Sequence, residues 1–240
     1  MVNFGPKASK SPPLKFSRRL TDTLDMPVNE LPTWAADAAA AILQTVLKKD
    51  PYTFFHCCRV GQNARKLGRA MGVPEFELAI MEYSGLFHDI GKVGLPDSVL
   101  LKPGRLSEDE NNMMKNHAEM SVEIIRPLTK HPFFRFLIPG VRYHHERFDG
   151  KGYPVGLRGE KIPLIARAIA VVDAVDAMMN TRPYRQGQSW DYVKKELLDY
   201  SGTQFDTNLV QTYLKAVAAG HFDEEKTEDE IVVPYILKAA

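Results

Sequence analysis

Residues 86–92 read LFHDIGK, which sets His88 and Asp89 side by side near the end of an apolar run, with Lys92 three positions on. Successive helical residues point about 100° apart, so the pair cannot stack on one face. Two such side chains can still share one metal ion, or the carboxylate can reach two. The ordinary structural use of the same dipeptide is a histidine at a helix C-terminus followed by a turn-forming aspartate ahead of Gly91. The rest of the chain favours chemistry. Five of the seven histidines, His56, His88, His117, His144 and His145, fall in or beside helical apolar patterns. Asp173 lies within IAVVDAV, where an ionised carboxylate costs several kcal/mol unless a positive group compensates it. A metal ion would do so. Asp176, one turn further on, can support a ligand from behind or pair with Arg167 or Arg182.

Imidazole and carboxylate donors suit iron, manganese, zinc or nickel, and no cysteine set provides a closed structural zinc site. Seven donors exceed what one ion takes. They suit two divalent ions sharing a carboxylate, an arrangement that activates water and steadies the oxygens of an in-line phosphoryl displacement. His88 would then serve one ion while Asp89 bridges to the next. Candidates for meeting an anion are Lys92, just past the pair, and Arg182 and Arg185 in RPYR. Tyr153, framed by glycine and proline, could donate to a nucleotide, stack on it, or simply anchor its loop.

Those side chains need a scaffold. At 240 residues with 44% hydrophobic side chains, the chain can bury a core. Its 31 Lys and Arg balance 30 Asp and Glu, a net charge of +1, so no global field draws long nucleic acid or an anionic membrane. The opening MVNFGPKASKSPPLKFSRRL lacks a signal-peptide core, and no later run is long enough to span a membrane without a charge, so a cytoplasmic protein is expected. Cys57 and Cys58 are adjacent, poorly placed for a disulfide, and read as reduced packing residues.

Residues 1–30, rich in Pro, Lys and Ser, read as a linker or loosely ordered arm, and 221–240 as a C-terminal tail. Between them the apolar spacing predicts helices over 34–49, 53–71 and from Pro74 to the His-Asp pair, followed by an irregular segment. Ser107 and Glu110 form a capping box opening one long helix, on which Met113, His117, Met120, Ile124 and Leu128 share a face. A broken stretch after Pro132 reaches His144 and His145. The glycine-rich loop ERFDGKGYPVGLRGEKIP comes next, then an apolar helix carrying Asp173 and Asp176, then helices near 189–201 and 207–219. No period-2 alternation is sustained, so the architecture is all-α.

Together HDIGK, His117, HHERFDGKGYP and VVDAVDAMMNTRPYR resemble the HD-GYP domain, a subgroup of the HD metal-dependent phosphohydrolases, in a match running from His56 to Gln211. The resemblance implies an HD-type helical bundle with a GYP loop over 31–220, and hydrolysis of cyclic di-GMP to linear pGpG and, in some members, to GMP. Rival readings are a 3',3'-cGAMP phosphodiesterase and a weakly active cyclic dinucleotide receptor or interaction module. By position, His56, His88, Asp89, His117, His144, His145 and Asp173 correspond to metal ligands, with Asp89 and Lys92 at the reacting phosphate. Lys92, Arg182 and Arg185 correspond to groups that meet phosphate and ligand. Gly152, Tyr153 and Pro154 form the loop motif, linked in the family to contacts with diguanylate cyclase (GGDEF) domains. Two positions depart from the pattern. Ser121 replaces a common glycine, and Tyr52 stands where trinuclear members carry a glutamate, which points to two ions here.

Overall fold

The computed structural model describes residues 33–181 and 186–222. The proposed arm at 1–30 and the tail beyond Phe222 lie outside them, as do Arg182 and Arg185. Ten α-helices are described: α1 (Thr33–Lys49), α2 (Pro51–Ala70), α3 (Glu75–Phe87), α4 (Asp97–Leu100), α5 (Glu108–Lys115), α6 (His117–Ile125), α7 (Pro132–Tyr143), α8 (Leu164–Met179), α9 (Trp190–Asp199) and α10 (Thr207–Ala218). Among the described residues the only β feature is an isolated bridge, Ser201 to Phe205. The all-α expectation therefore holds.

Local chemistry explains most boundaries. The Asp50 carboxylate accepts from the backbone N–H groups of Tyr52 (3.1 Å) and Thr53 (3.3 Å) ahead of Pro51, starting α2. The Ser107–Glu110 capping box opens α5 as expected. α2 packs on α3 and α8, and α7 packs on α3, α6 and α8. Phe54, Phe87, Phe134, Leu86, Leu137 and Ile169 are fully buried among these helices, each worth about 1.5–3 kcal/mol of transfer free energy.

Three expectations need correction. The single long helix after Ser107 is two, broken at Asn116, and it ends at Ile125 because Pro127 follows. Its buried face holds His117, Ala118, Ser121, Val122 and Ile125, while Met113 is exposed. The stretch after Pro132 is a regular helix, α7. Phe133, Phe134, Leu137, Gly140 and Val141 bury one face of it despite Pro139 inside. Burial of that apolar stripe outweighs the hydrogen bond that proline omits. The segment after the His-Asp pair contains a 3-10 turn, Ile90–Gly94, and the short α4. Cys57 and Cys58 are free and buried, as expected.

Candidate metal centre

Helix ends bring the donors together. His56 comes from α2, His88 and Asp89 from the end of α3, His117 from the start of α6, His144 and His145 from the end of α7, and Asp173 from α8. His88, His117 and His144 share one device. Each Nδ1 sits 2.6, 2.6 and 2.7 Å, respectively, from the carbonyl oxygen of Gly85, Met114 or Val141, three residues earlier. Those carbonyls belong to the last turns of α3, α5 and α7, where helix carbonyls have acceptor capacity to spare. A carbonyl only accepts, so Nδ1 carries a proton and Nε2 is the atom left to face the cluster. The Ser121 hydroxyl accepts from the Gly91 N–H (2.8 Å) and donates to the His88 carbonyl (2.9 Å), tying α6 to the His-Asp turn. The serine at this position thus does more than alter helix packing.

The donor atoms form two groups, Asp89 with His117, His144 and His145, and Asp89 with His56 and His88. Asp89 belongs to both. Asp173 borders the second group, with Oδ1 3.1 Å from His56 Nε2 and 3.9 Å from His88 Nε2. His117 Nε2 lies 3.3 Å from His144 Nε2 and 3.2 Å from His145 Nε2. Nδ1 of His117 and of His144 both face carbonyls, so two neutral rings would bring bare Nε2 atoms together there. Two nitrogens bound at about 2.0–2.1 Å to one ion sit at just such separations. His88 Nε2 and Asp89 Oδ1 are buried without hydrogen-bond partners, which a cation would remedy. The residues present therefore fit a metal: this is a His/Asp cluster able to bind one.

The electrostatics agree. Burial alone would raise the Asp89 carboxyl, but His88, Lys92 and His117 hold it well below the usual carboxylate range, so it is an anion at neutral pH. Burial and the neighbouring imidazoles push His144 well down, and His145 to about 3, keeping both rings neutral and available. His56 behaves oppositely. Burial lowers it, yet hydrogen bonds and charge from Asp173 and Asp176 lift it to about 9. A pocket that holds a proton so firmly on an imidazole also attracts a metal cation.

Asp176 supports His56 from behind. Its Oδ2 is 2.7 Å from His56 Nδ1, and its carboxylate accepts from Arg59 Nε (2.7 Å) and Nη2 (3.0 Å) and from Asn180 Nδ2 (3.0 Å). Of the two alternatives the contact with His56 is the one present, whereas Arg167 pairs with Asp206 and Arg182 lies outside the described residues. Arg59 was missed, although it lies three residues from His56, a spacing that places it near the same helix face. Replacing Asp176 by Asn is expected to weaken metal binding about 10–100-fold while the circular dichroism spectrum stays native, because the His56 tautomer loses its guide. Chelator competition on the two proteins checks this, and equal affinities would remove the supporting role.

The glycine-rich loop folds back onto the histidine pair. Glu146 is buried, and its carboxylate accepts from the N–H groups of Val155 (2.8 Å), Gly156 (3.0 and 3.1 Å) and Leu157 (3.0 Å). A Cβ at Gly152 would lie 2.3 Å from the Arg147 nitrogen and 2.5 Å from the His145 carbonyl oxygen, so only glycine permits this approach. Tyr153 consequently stacks on His145, with ring centroids 4.7 Å apart and planes at 26°, and the Lys115 ammonium sits 5.9 Å from the Tyr153 centroid. Glu146 and Lys115 were not singled out from sequence, though Glu146 directly follows the histidine pair. Lys92 Nζ lies 2.5 Å from Asp89 Oδ2.

An HD domain family model matches residues 40–209. This chain belongs to the HD-domain family. Its motifs put it in the HD-GYP subgroup, and similar proteins carry matching names. The cyclic di-GMP phosphodiesterase response regulator RpfG of Xanthomonas campestris pv. campestris is 36% identical over 80% of this chain and 50% of its own length. The 3'3'-cGAMP-specific phosphodiesterase 2 of Vibrio cholerae is 34% identical over 70% of this chain and 31% of its own length. The chain thus spans about half or less of these curated relatives. Among solved structures, the HD domain of the Listeria monocytogenes phosphodiesterase PgpH in complex with cyclic-di-AMP superposes with a TM-score of 0.55, at 17% identity over 78% of this chain and 99% of that one. That likeness concerns the fold. Among the described residues no helix of the HD-GYP chain is long and apolar enough to cross a membrane.

Proposed function

We propose that this HD-GYP chain is a metal-dependent phosphodiesterase that hydrolyses cyclic di-GMP to linear pGpG, and that it uses two divalent ions, iron or manganese before zinc or nickel. The observation carrying the reading is the single buried carboxylate, Asp89, common to two groups of imidazole donors. A pair of divalent ions supplies Lewis acidity that makes water nucleophilic at neutral pH and draws charge from phosphoryl oxygens. His56, His88, His117, His144, His145, Asp89 and Asp173 would hold them. Burial alone would lower Lys92, but Asp89 raises it above its ordinary value, so Nζ stays charged, with N–H groups to spare for a phosphate oxygen as the ribose 3' oxygen departs. Burial raises the Tyr153 phenol, so it remains a hydrogen-bond donor. Arg182 and Arg185, outside the described residues, complete the proposed ligand contacts.

Incubating metal-loaded protein with cyclic di-GMP and, in parallel, 3',3'-cGAMP, with products followed by chromatography, tests the reading. Linear pGpG should accumulate, and faster turnover of the mixed dinucleotide would reassign the substrate. Tight binding without product would make the chain a receptor. Tyr52 bears on the number of ions, since its ring lies parallel to that of His56 (5° between planes, centroids 6.4 Å apart) one turn earlier on α2. A phenol is a poorer ligand for such an ion than a carboxylate. Elemental analysis should find two ions per chain, and a third in Tyr52→Glu; three in the unaltered protein would refute the binuclear proposal. Contact with a GGDEF domain through the loop is part of the proposal, supported by the exposure of Lys151 and Val155 beside it. So are a catalytic domain over 31–220 and a cytoplasmic location, in keeping with two free cysteines.

A further inference from the structure

A cyclic dinucleotide carries two phosphodiesters, and the donor cluster can act on only one at a time. The other needs a cation that is close, fixed and not already neutralised. Lys92, which Asp89 holds at 2.5 Å, is already assigned to the scissile phosphate. Arg142, near the end of α7, is bound to Glu119, and Arg59 is committed to Asp176. Lys115 is different. It is the last residue of α5, two positions before His117, and it is exposed to solvent. Among the described residues its recorded partner is the Tyr153 ring, not a carboxylate.

An aromatic face is a useful holder for such a group. It attracts an ammonium by its quadrupole without cancelling the charge and without occupying N–H donors, so the cation is positioned in advance yet remains free to bind. The ring itself cannot wander. It is stacked on His145, its backbone N–H reaches the His145 carbonyl (3.3 Å), and the Glu146 carboxylate gathers the next loop amides. With His145 already stacked on it and Lys115 beside it, Tyr153 is better described as a rest for a lysine than as a platform for a base.

We propose that Lys115, held by Tyr153 at the rim of the cluster, binds the second, non-scissile phosphate of a cyclic dinucleotide and so selects two-phosphate substrates over simple diesters. The proposal rests on the phosphodiesterase reading above and assigns the GYP loop a second task, fixing a specificity-determining cation. A charge-assisted contact of this kind is worth about tenfold or more in binding.

The test compares the metal-loaded wild type with Lys115→Met and Lys115→Arg on cyclic di-GMP and on bis(p-nitrophenyl) phosphate, which has one phosphate. Lys115→Met should raise KM for the dinucleotide about tenfold, leaving kcat, metal content and cleavage of the small diester unchanged, and Lys115→Arg should restore most of the loss. An unaltered KM in Lys115→Met would overturn the proposal, as would an equal loss on both substrates, which would mean a structural role. If the wild type cleaves the small diester but neither binds nor cleaves cyclic dinucleotides, the functional reading fails, and this inference with it. If the wild type cleaves both and the variant matches it, the inference fails alone.

Discussion

Asp89→Ala should empty the proposed two-ion centre and lower turnover by at least about a hundredfold, since loss of even a supporting group around a metal costs about 10–100-fold. The expectation follows from membership of Asp89 in both donor groups, and from its ionised state between His88, Lys92 and His117. His88→Ala provides the contrast. His88 belongs only to the group containing His56, so its loss should deplete mainly one ion. Elemental analysis alongside the turnover assay separates the two cases. Full metal content in Asp89→Ala, or equal losses in both variants, would rule out a shared carboxylate.

Gly91→Ala should be the most destabilising of the single changes considered, by about 3 kcal/mol or more, because overpacking against backbone has little means of relief. A Cβ at Gly91 would stand 2.1 Å from the His117 carbonyl oxygen, 2.5 Å from the Ser121 nitrogen and 2.8 Å from Met120 Cβ. Two of these three are main-chain atoms of α6, which cannot swing aside, so the helix must retreat and carry His117 away from Asp89. The Ser121 hydroxyl, bonded to both the Gly91 N–H and the His88 carbonyl, would lose its partners in the same movement. Urea unfolding of the metal-free protein measures the stability term, and metal titration the loss of the His117 group. Gly94→Ala is the control. There the nearest atoms are the flexible Met120 Sδ at 3.3 Å and Cε at 3.6 Å, so stability should change by no more than about 0.5 kcal/mol. Equal midpoints for the two variants would contradict the account.

By itself, the sequence determined which side chains could serve such a centre and most of the helices that carry them. Ligand chemistry is written in residue type. Histidines on apolar faces, and an aspartate inside IAVVDAV, advertise an uncompensated cost that a cation can meet. The 3.6-residue period and the cap at Ser107 are local, so α5 begins where the sequence indicates and α2 within two residues of it. Tertiary packing decided the remainder. Pro139 and Gly140 argue against a helix locally, and α7 forms because Phe133, Phe134, Leu137 and Val141 bury one face. The partition of six donors into two groups that share Asp89 joins positions as far apart as 56 and 145, and no local pattern encodes their separation. Arg59 behind Asp176, Glu146 beneath the loop and Lys115 beside Tyr153 escape a sequence reading for the same reason: a hydrogen bond or cation–π contact depends on distances of a few ångströms between elements, and these exist only once the helices have packed.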